Sequence, residues 1–255
     1  LLENKTFAKH TIAHNTIVQD ETSHFNYDFA TGSRHHSEKY FFDVLNPEFQ
    51  IVSAKEQNAY PGTEIHWTMA MVKDDELENP FVIDINKIQS TQKHNYDLPF
   101  YYFGQIIATS FTYTSNKTLK PLGFKNGYQH LWKEAQGKAN SESIQFTWLN
   151  NKKFYSLTAA TSSNDSLILG RIGANDPQYN LRNNPSFIIR KNNKQNTVYA
   201  SIIESHGTYN PVKEVAKNAY SNFKSVRVVS NDKKYTSIKI EFKSGKEKML
   251  ILSNI

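Results

Sequence analysis

Apolar side chains sit at every second position over residues 143–149, with Ile144, Phe146 and Trp148 on one side, and again at Ile238, Ile240 and Phe242. A period of two marks a half-buried strand, because successive side chains leave opposite faces of a sheet. Short apolar or alternating runs recur at 40–44, 49–54, 64–72, 81–88, 154–160, 166–172, 186–190 and 197–204, broken by Asn, Asp, Pro and Gly. This punctuation predicts antiparallel strands. Residues 11–18 and the aromatic run 100–113 read the same way. The last segments, 225–230, 236–243 and 248–252, predict a meander turning at Asn231-Asp232 and Ser244-Gly245. One short helix is predicted over 211–222, with Asn210 as N-cap and Pro211 in the first position. The fold class is therefore all-β: a large antiparallel β-sandwich with few short helices. A weak boundary near Asn222 divides it into a sandwich, 1–222, and a C-terminal meander, 223–255, within the same domain.

Composition narrows the function classes. The chain has 255 residues, enough to bury a substantial core without covalent staples. With 38% hydrophobic and 21% charged residues it is neither disordered nor a membrane bundle. No apolar run approaches the ~18 residues of a membrane-spanning helix. Cysteine is absent, which excludes disulfides, thiolate nucleophiles and cysteine-type zinc sites. The net charge of +6 favours an anionic partner through the long-range field. Neither a nucleic acid nor a membrane is expected as partner. The start, Leu1-Leu2-Glu3-Asn4-Lys5, lacks the basic and apolar regions of a signal peptide, and it lacks Met. It reads as a processed chain or a piece of a longer one.

Chemistry-bearing residues collect in several motifs. Histidines stand at positions 10, 14, 24, 35 and 36, none in a helical His-x-x-x-His pattern. On spacing alone they read as surface imidazoles in polar loops. Asn58-Ala59-Tyr60-Pro61-Gly62 places a Tyr before a tight turn. His94-Asn95-Tyr96-Asp97-Leu98-Pro99 crowds charged and aromatic groups before a long strand. Gly173-Ala174-Asn175-Asp176-Pro177 has the composition of a turn. Ser205-His206 is no catalytic pair, because neighbours in a strand point to opposite faces.

Taken in order, these motifs resemble the C-terminal β-sandwich half of heparinase II/III-like polysaccharide lyases. Most closely they resemble the oligoalginate lyases of polysaccharide lyase family 17. The resemblance runs through His14-Asn15-Thr16, Asn58–Gly62, His94–Pro99, Gly104-Gln105 and Lys120-Pro121-Leu122-Gly123. It continues through Gly127-Tyr128-Gln129-His130-Leu131-Trp132, Gly173–Pro177, Asn180-Leu181-Arg182 and Glu204-Ser205-His206-Gly207. It covers roughly His10 to Asn222.

The resemblance implies a β-elimination on a uronate: a base removes the C5 proton and the C4 oxygen leaves. That proton becomes removable when the neighbouring carboxylate is neutralised. By resemblance Tyr60 is the base, the reading preferred here; from its own surroundings alone it is a Tyr packed at a strand end. The resemblance also implies a structural zinc held by His14, Asp43 and His94, with Asp20 and His66 as substitutes. Read alone, Asp43 is a strand-end carboxylate. Arg34, His35 and His36 would bind anionic sugar if their loop borders the cleft, and are otherwise a solvated loop. The implied partner is an anionic uronate oligosaccharide or polysaccharide. A helical toroid, in the same or another chain, would supply the carboxylate-neutralising Asn-His pair and an acid; a homodimer is a further expectation. Alternatives are a lyase of the same superfamily acting on a glycosaminoglycan, and a non-catalytic carbohydrate-binding sandwich. Substrate and family place the protein in a bacterial periplasm or outside the cell.

Overall fold

The computed structural model describes residues 2–254 apart from Pro177. Its strands are β1 (Val18–Gln19), β2 (Glu38–Asp43), β3 (Phe49–Tyr60), β4 (Thr63–Val72), β5 (Phe81–Tyr101), β6 (Gln105–Thr109), β7 (Tyr113–Pro121) and β8 (Leu131–Lys138). They continue as β9 (Ser143–Asn150), β10 (Lys153–Ala160), β11 (Ser166–Ile172), β12 (Pro185–Asn210), β13 (Val215–Lys217), β14 (Phe223–Asn231), β15 (Tyr235–Phe242) and β16 (Glu247–Ser253). Helical structure among the described residues amounts to single turns and α1 (Phe29–Gly32), capped by the Asp28 carboxylate. The all-β expectation holds.

Thirteen strands form one antiparallel sheet, and β14–β16 form a second. Two long strands organise the first. β5 and β12 pair from Tyr101–Ser186 to Phe81–Glu204, and their register slips between Lys191 and Asn196. The first half of β5 and the second half of β12 join β2–β4 on one side and β10, β9 and β6 on the other. Their other halves carry β1, β8 and β11. Side chains of both halves meet in one core: Ile65, Ile88 and Tyr199 against Leu98, Phe187 and Ile189, with Phe146 and Leu157 alongside. The sheet therefore folds over on itself as a sandwich.

Each layer is covered on its outer face. Phe81, Ile83 and Ile85 pack against Phe223, Ile238, Ile240 and Phe242 of the three-stranded sheet. On the opposite side Ile168, Ile172 and Ile188 pack against Phe7, Ile12 and Tyr128. The N-terminal segment is thus a cover laid over the second layer.

Two local expectations fail for physical reasons. Residues 211–222 do not form a helix. Asn210 does accept from the Val212 and Lys213 amides (3.0 and 3.1 Å), as an N-cap would. The turn then reverses into β13, which pairs back on Thr208–Asn210. Glu214 and Asn218 take left-handed φ of 53° and 49°, which a helix cannot accommodate. Residues 11–18 contain a helical turn at Thr11–Ala13 and only the start of β1.

Candidate active site

Tyr60 ends β3, and Gly62 follows at φ 72°; a side chain there would press on Thr91 Oγ1 at 2.7 Å. This tight reversal turns the phenol into the rim of the sandwich core beside Ile17, where it is 3% exposed. Its hydroxyl donates to the Thr22 carbonyl (2.8 Å) and accepts from the Gln19 amide (3.2 Å). Burial pushes the phenol well above its ordinary range, and the Asp97 and Asp20 charges add to that. As it stands the hydroxyl is a neutral, fully engaged group.

The segment over Tyr60 is strained. Asp20, Glu21, Phe25, Asn26 and Tyr27 all have positive φ, between 48° and 65°. Non-glycine residues are costly in this region, and such strain collects at functional sites. His24 sits within the segment with its ring edge-on to Tyr60 (centroids 5.0 Å apart). His24 Nε2 donates to the Ile17 carbonyl at 3.1 Å. Burial lowers its pKa, so the ring is neutral near pH 7 and Nδ1 carries the lone pair.

Above His24 opens a pocket of about 240 Å³ whose lining includes Lys9, His14, His24, Phe25, Tyr27 and Asp28. Tyr27 stacks on His10 with centroids 3.9 Å apart, and its hydroxyl donates to the Lys5 carbonyl. His14 is exposed and donates from Nε2 to the Ala8 carbonyl (3.1 Å). Lys9 rests over the Phe29 ring, 4.2 Å from its centroid. Arg34 and His35 follow α1 on the surface, and the His35 ring lies against Phe25 (5.0 Å). The structure therefore gathers His14 and His24 in one pocket with Lys9 and Tyr27, and brings His35 to its edge. Tyr60 lies behind His24, outside the lining.

The proposed metal ligands do not assemble. His94 Nδ1 lies 2.6 Å from Asp20 Oδ2, and Asp20 Oδ1 accepts from the Asn95 amide. Asp43 accepts from the Leu45 amide at the end of β2, three strands from β5 in the sheet order. His66 is buried on β4 with Nε2 2.6 Å from Ser53 Oγ. Among the described residues no three His, Asp or Glu side chains are placed to hold a metal ion. The residues as arranged do not fit the zinc that the resemblance implies, and no step is assigned to it.

Other motifs are explained by packing. Asp97 receives a two-pronged contact from Arg190 (2.7 and 2.7 Å) and the Tyr128 hydroxyl (2.6 Å), while Arg190 also reaches Glu21 at 2.8 Å. This fastens the segment over Tyr60 to β5 and β12. Glu204 accepts from Ser221 and Asn222 ahead of β14. Asp176 closes its turn by accepting from the Gln178 and Leu181 amides; Pro177, in the same motif, lies outside the described residues.

The family described as heparinase II/III-like, C-terminal, matches residues 2–241. The chain belongs to that family. It is 39% identical over 257 aligned residues to an exo-oligoalginate lyase of Saccharophagus degradans, covering 99% of this chain and 35% of that protein. It is 36% identical over 227 residues to an alginate lyase of Stenotrophomonas maltophilia, covering 89% of this chain and 30% of that one. Among solved structures, a heparinase III superposes with TM-score 0.60 at 14% identity, covering 96% of this chain and 30% of the other. A heparan sulfate lyase from Pedobacter heparinus gives TM-score 0.55 at 10% identity, covering 96% and 31%. At such identities the superpositions show a shared fold. The chain spans about a third of the length of the curated relatives it matches.

Lys9 and Tyr27 carried no motif signal in the sequence. Tyr27 reaches the pocket through the left-handed turn at 25–27, which no run of residue types announces, and Lys9 reaches it from the end of the N-terminal helical turn.

Proposed function

We propose that this chain is the β-sandwich part of an alginate lyase that cleaves uronate linkages of oligomeric substrate by β-elimination. The observation that carries this reading is the 39% identity to an exo-oligoalginate lyase across 99% of the chain. The heparan-acting structures share the fold at 10–14% identity and carry no weight on substrate.

In this reading the basic pocket takes the sugar carboxylate. Lys9 and His14 line it, and Arg34 and His35 stand at its edge; positive charge there favours the dianionic character that develops when C5 loses its proton. Tyr60 is the base. Its phenol is shut behind His24 by a segment with five left-handed residues, held by the Thr22 and Gln19 main chain. Release of that turn on substrate binding exposes the hydroxyl to solvent and to the cations of the pocket, which favour its phenolate form. A second part of the whole protein completes carboxylate neutralisation and protonates the leaving oxygen. Positioned groups of this kind act together, so this chain alone is inactive. The substrate places the whole protein in the periplasm or outside the cell.

The test is the whole protein with alginate oligomers, following the ultraviolet absorbance of the unsaturated product. Cleavage of alginate with none of heparan sulfate is the expected result. Cleavage of heparan sulfate alone overturns the substrate assignment, and this chain generating product by itself overturns the shared site.

A further inference from the structure

A second, polar groove shares no lining residue with the pocket beside Tyr60. It runs between the bend of β12 and the outer face of β14 and β15, with a volume of about 490 Å³. That lies within the ~300–1,000 Å³ span of small-ligand sites. One wall carries Lys194 and Asn196, the other Arg227, Asn231 and Lys239. The floor is apolar, made of Ala160, Val198 and Val228.

Its charges are unequally committed. Lys191, deep in the wall, is bound to the buried Asp165 carboxylate at 2.8 Å, so it is structural. Arg227 faces Glu142 at 3.8 Å, with side-chain exposures of 48% and 79%. Lys239 pairs with Glu247 at 2.7 Å, at 35% and 53% exposure. Such exposed pairs hold weakly and yield to a better-placed anion. Lys194 has no ion-pair partner among the described residues. It is set at the register slip of β12, where the backbone departs from regular pairing with β5.

We propose that this groove is an accessory binding site for an acidic oligosaccharide, separate from the cleft in which the chain is cut. Three features select that ligand class. Cations stand on both walls, which suits a carboxylate on each successive sugar. Side-chain amides and hydroxyls of Asn196, Asn231 and Thr161 offer partners to sugar hydroxyls. The valine floor accepts the apolar face of a pyranose. A phosphate site would instead draw on convergent arginines or clustered amides, and one arginine is present here. The identity of the sugar as a uronate rests on the alginate lyase reading; the site itself rests on the groove.

The experiment is calorimetric titration of the protein with alginate tetramers, a neutral cellulose tetramer and inorganic phosphate. Binding of the alginate tetramer alone is expected. The double variant Lys194→Glu/Arg227→Glu should weaken it at least ~10-fold, a change of about 1.4 kcal/mol. Should the double variant fail to fold, zero-length carbodiimide coupling to the wild type replaces it, with amide formation between uronate carboxylates and Lys194 expected in the mass spectrum. Equal binding of the neutral tetramer, a change under twofold in the folded double variant, or coupling confined to lysines outside the groove overturns the proposal. A heparan sulfate tetramer bound in place of alginate would keep the acidic-sugar groove while removing the alginate assignment, so the two readings fail separately.

Discussion

Tyr60→Phe separates the structural from the chemical role of this phenol. The substitution removes one oxygen and keeps the ring in the core. That oxygen satisfies the Gln19 amide and donates to the Thr22 carbonyl. Gln19 is 7% exposed, so its N–H is left buried without a partner. Such an unmet donor costs about 1–3 kcal/mol. For a chain of this size each kcal/mol lowers Tm by about 2–4 °C, so a fall of about 2–12 °C is expected. Urea and thermal melts of the isolated chain read this directly. In the whole enzyme the same variant should lower kcat by at least ~10²-fold, the low end for a general base. A stability loss with kcat within ~10-fold of wild type would reduce Tyr60 to a prop for His24. Unchanged stability would refute the hydrogen-bonding account of the segment that covers it.

Three further substitutions act on buried charge. Asp84, beside the Trp67 indole that donates to it at 2.6 Å, is pushed up to about 6 by burial, against opposing contacts from Trp67 and Asn86. Its folded pKa lies above the unfolded value, so stability is lost as pH rises from about 4 to 6; Asp84→Asn should gain roughly 3 kcal/mol at pH 7.5 and nothing at pH 4, by urea melts. His66 is pushed down to about 4, by burial first and then by Lys55. Its contribution is full above pH 6.5 and falls away towards pH 4, and His66→Gln should flatten that slope, by roughly 3 kcal/mol over the window. Asp74 is held at about 2; burial opposes this, and the ammonium groups of Lys246 and Lys248 outweigh it. Asp74→Asn should cost roughly 2 kcal/mol above pH 4, with the difference vanishing as pH falls through 2 in acid titration followed by circular dichroism.

Strand positions were legible because burial on one face imposes a two-residue period, as at Ile238, Ile240 and Phe242. The fold-over of the large sheet was not: Asn192-Asn193 in β12 reads as a break between two separate strands, and that pairing with β5 resumes beyond it is set by tertiary contact. Asn210 shows the limit of local reading: its side chain caps the backbone as expected, yet pairing of β13 with β12 outweighs the helix. In the site, His14 and His24 stood out by residue type. Their grouping with Lys9 and Tyr27 follows from left-handed residues other than glycine, conformations that tertiary contacts impose. Asp20 and His94, both candidate ligands by resemblance, do meet, but as a single side-chain contact at 2.6 Å.

The central strand pair carries a consequence for how the molecule is made. β5 and β12 meet across sequence separations from 85 residues, Tyr101 with Ser186, to 123 residues, Phe81 with Glu204. Contacts so remote are closed late, because loop entropy must be met before any pairing rewards it. On a ribosome the first half of the sandwich emerges with β5 unpaired along the edge that β12 will occupy. Until that edge is filled it offers free backbone groups to any other extended chain. The interval before β12 arrives is when this protein is most exposed to aggregation, and slower elongation after residue 101 would lengthen it.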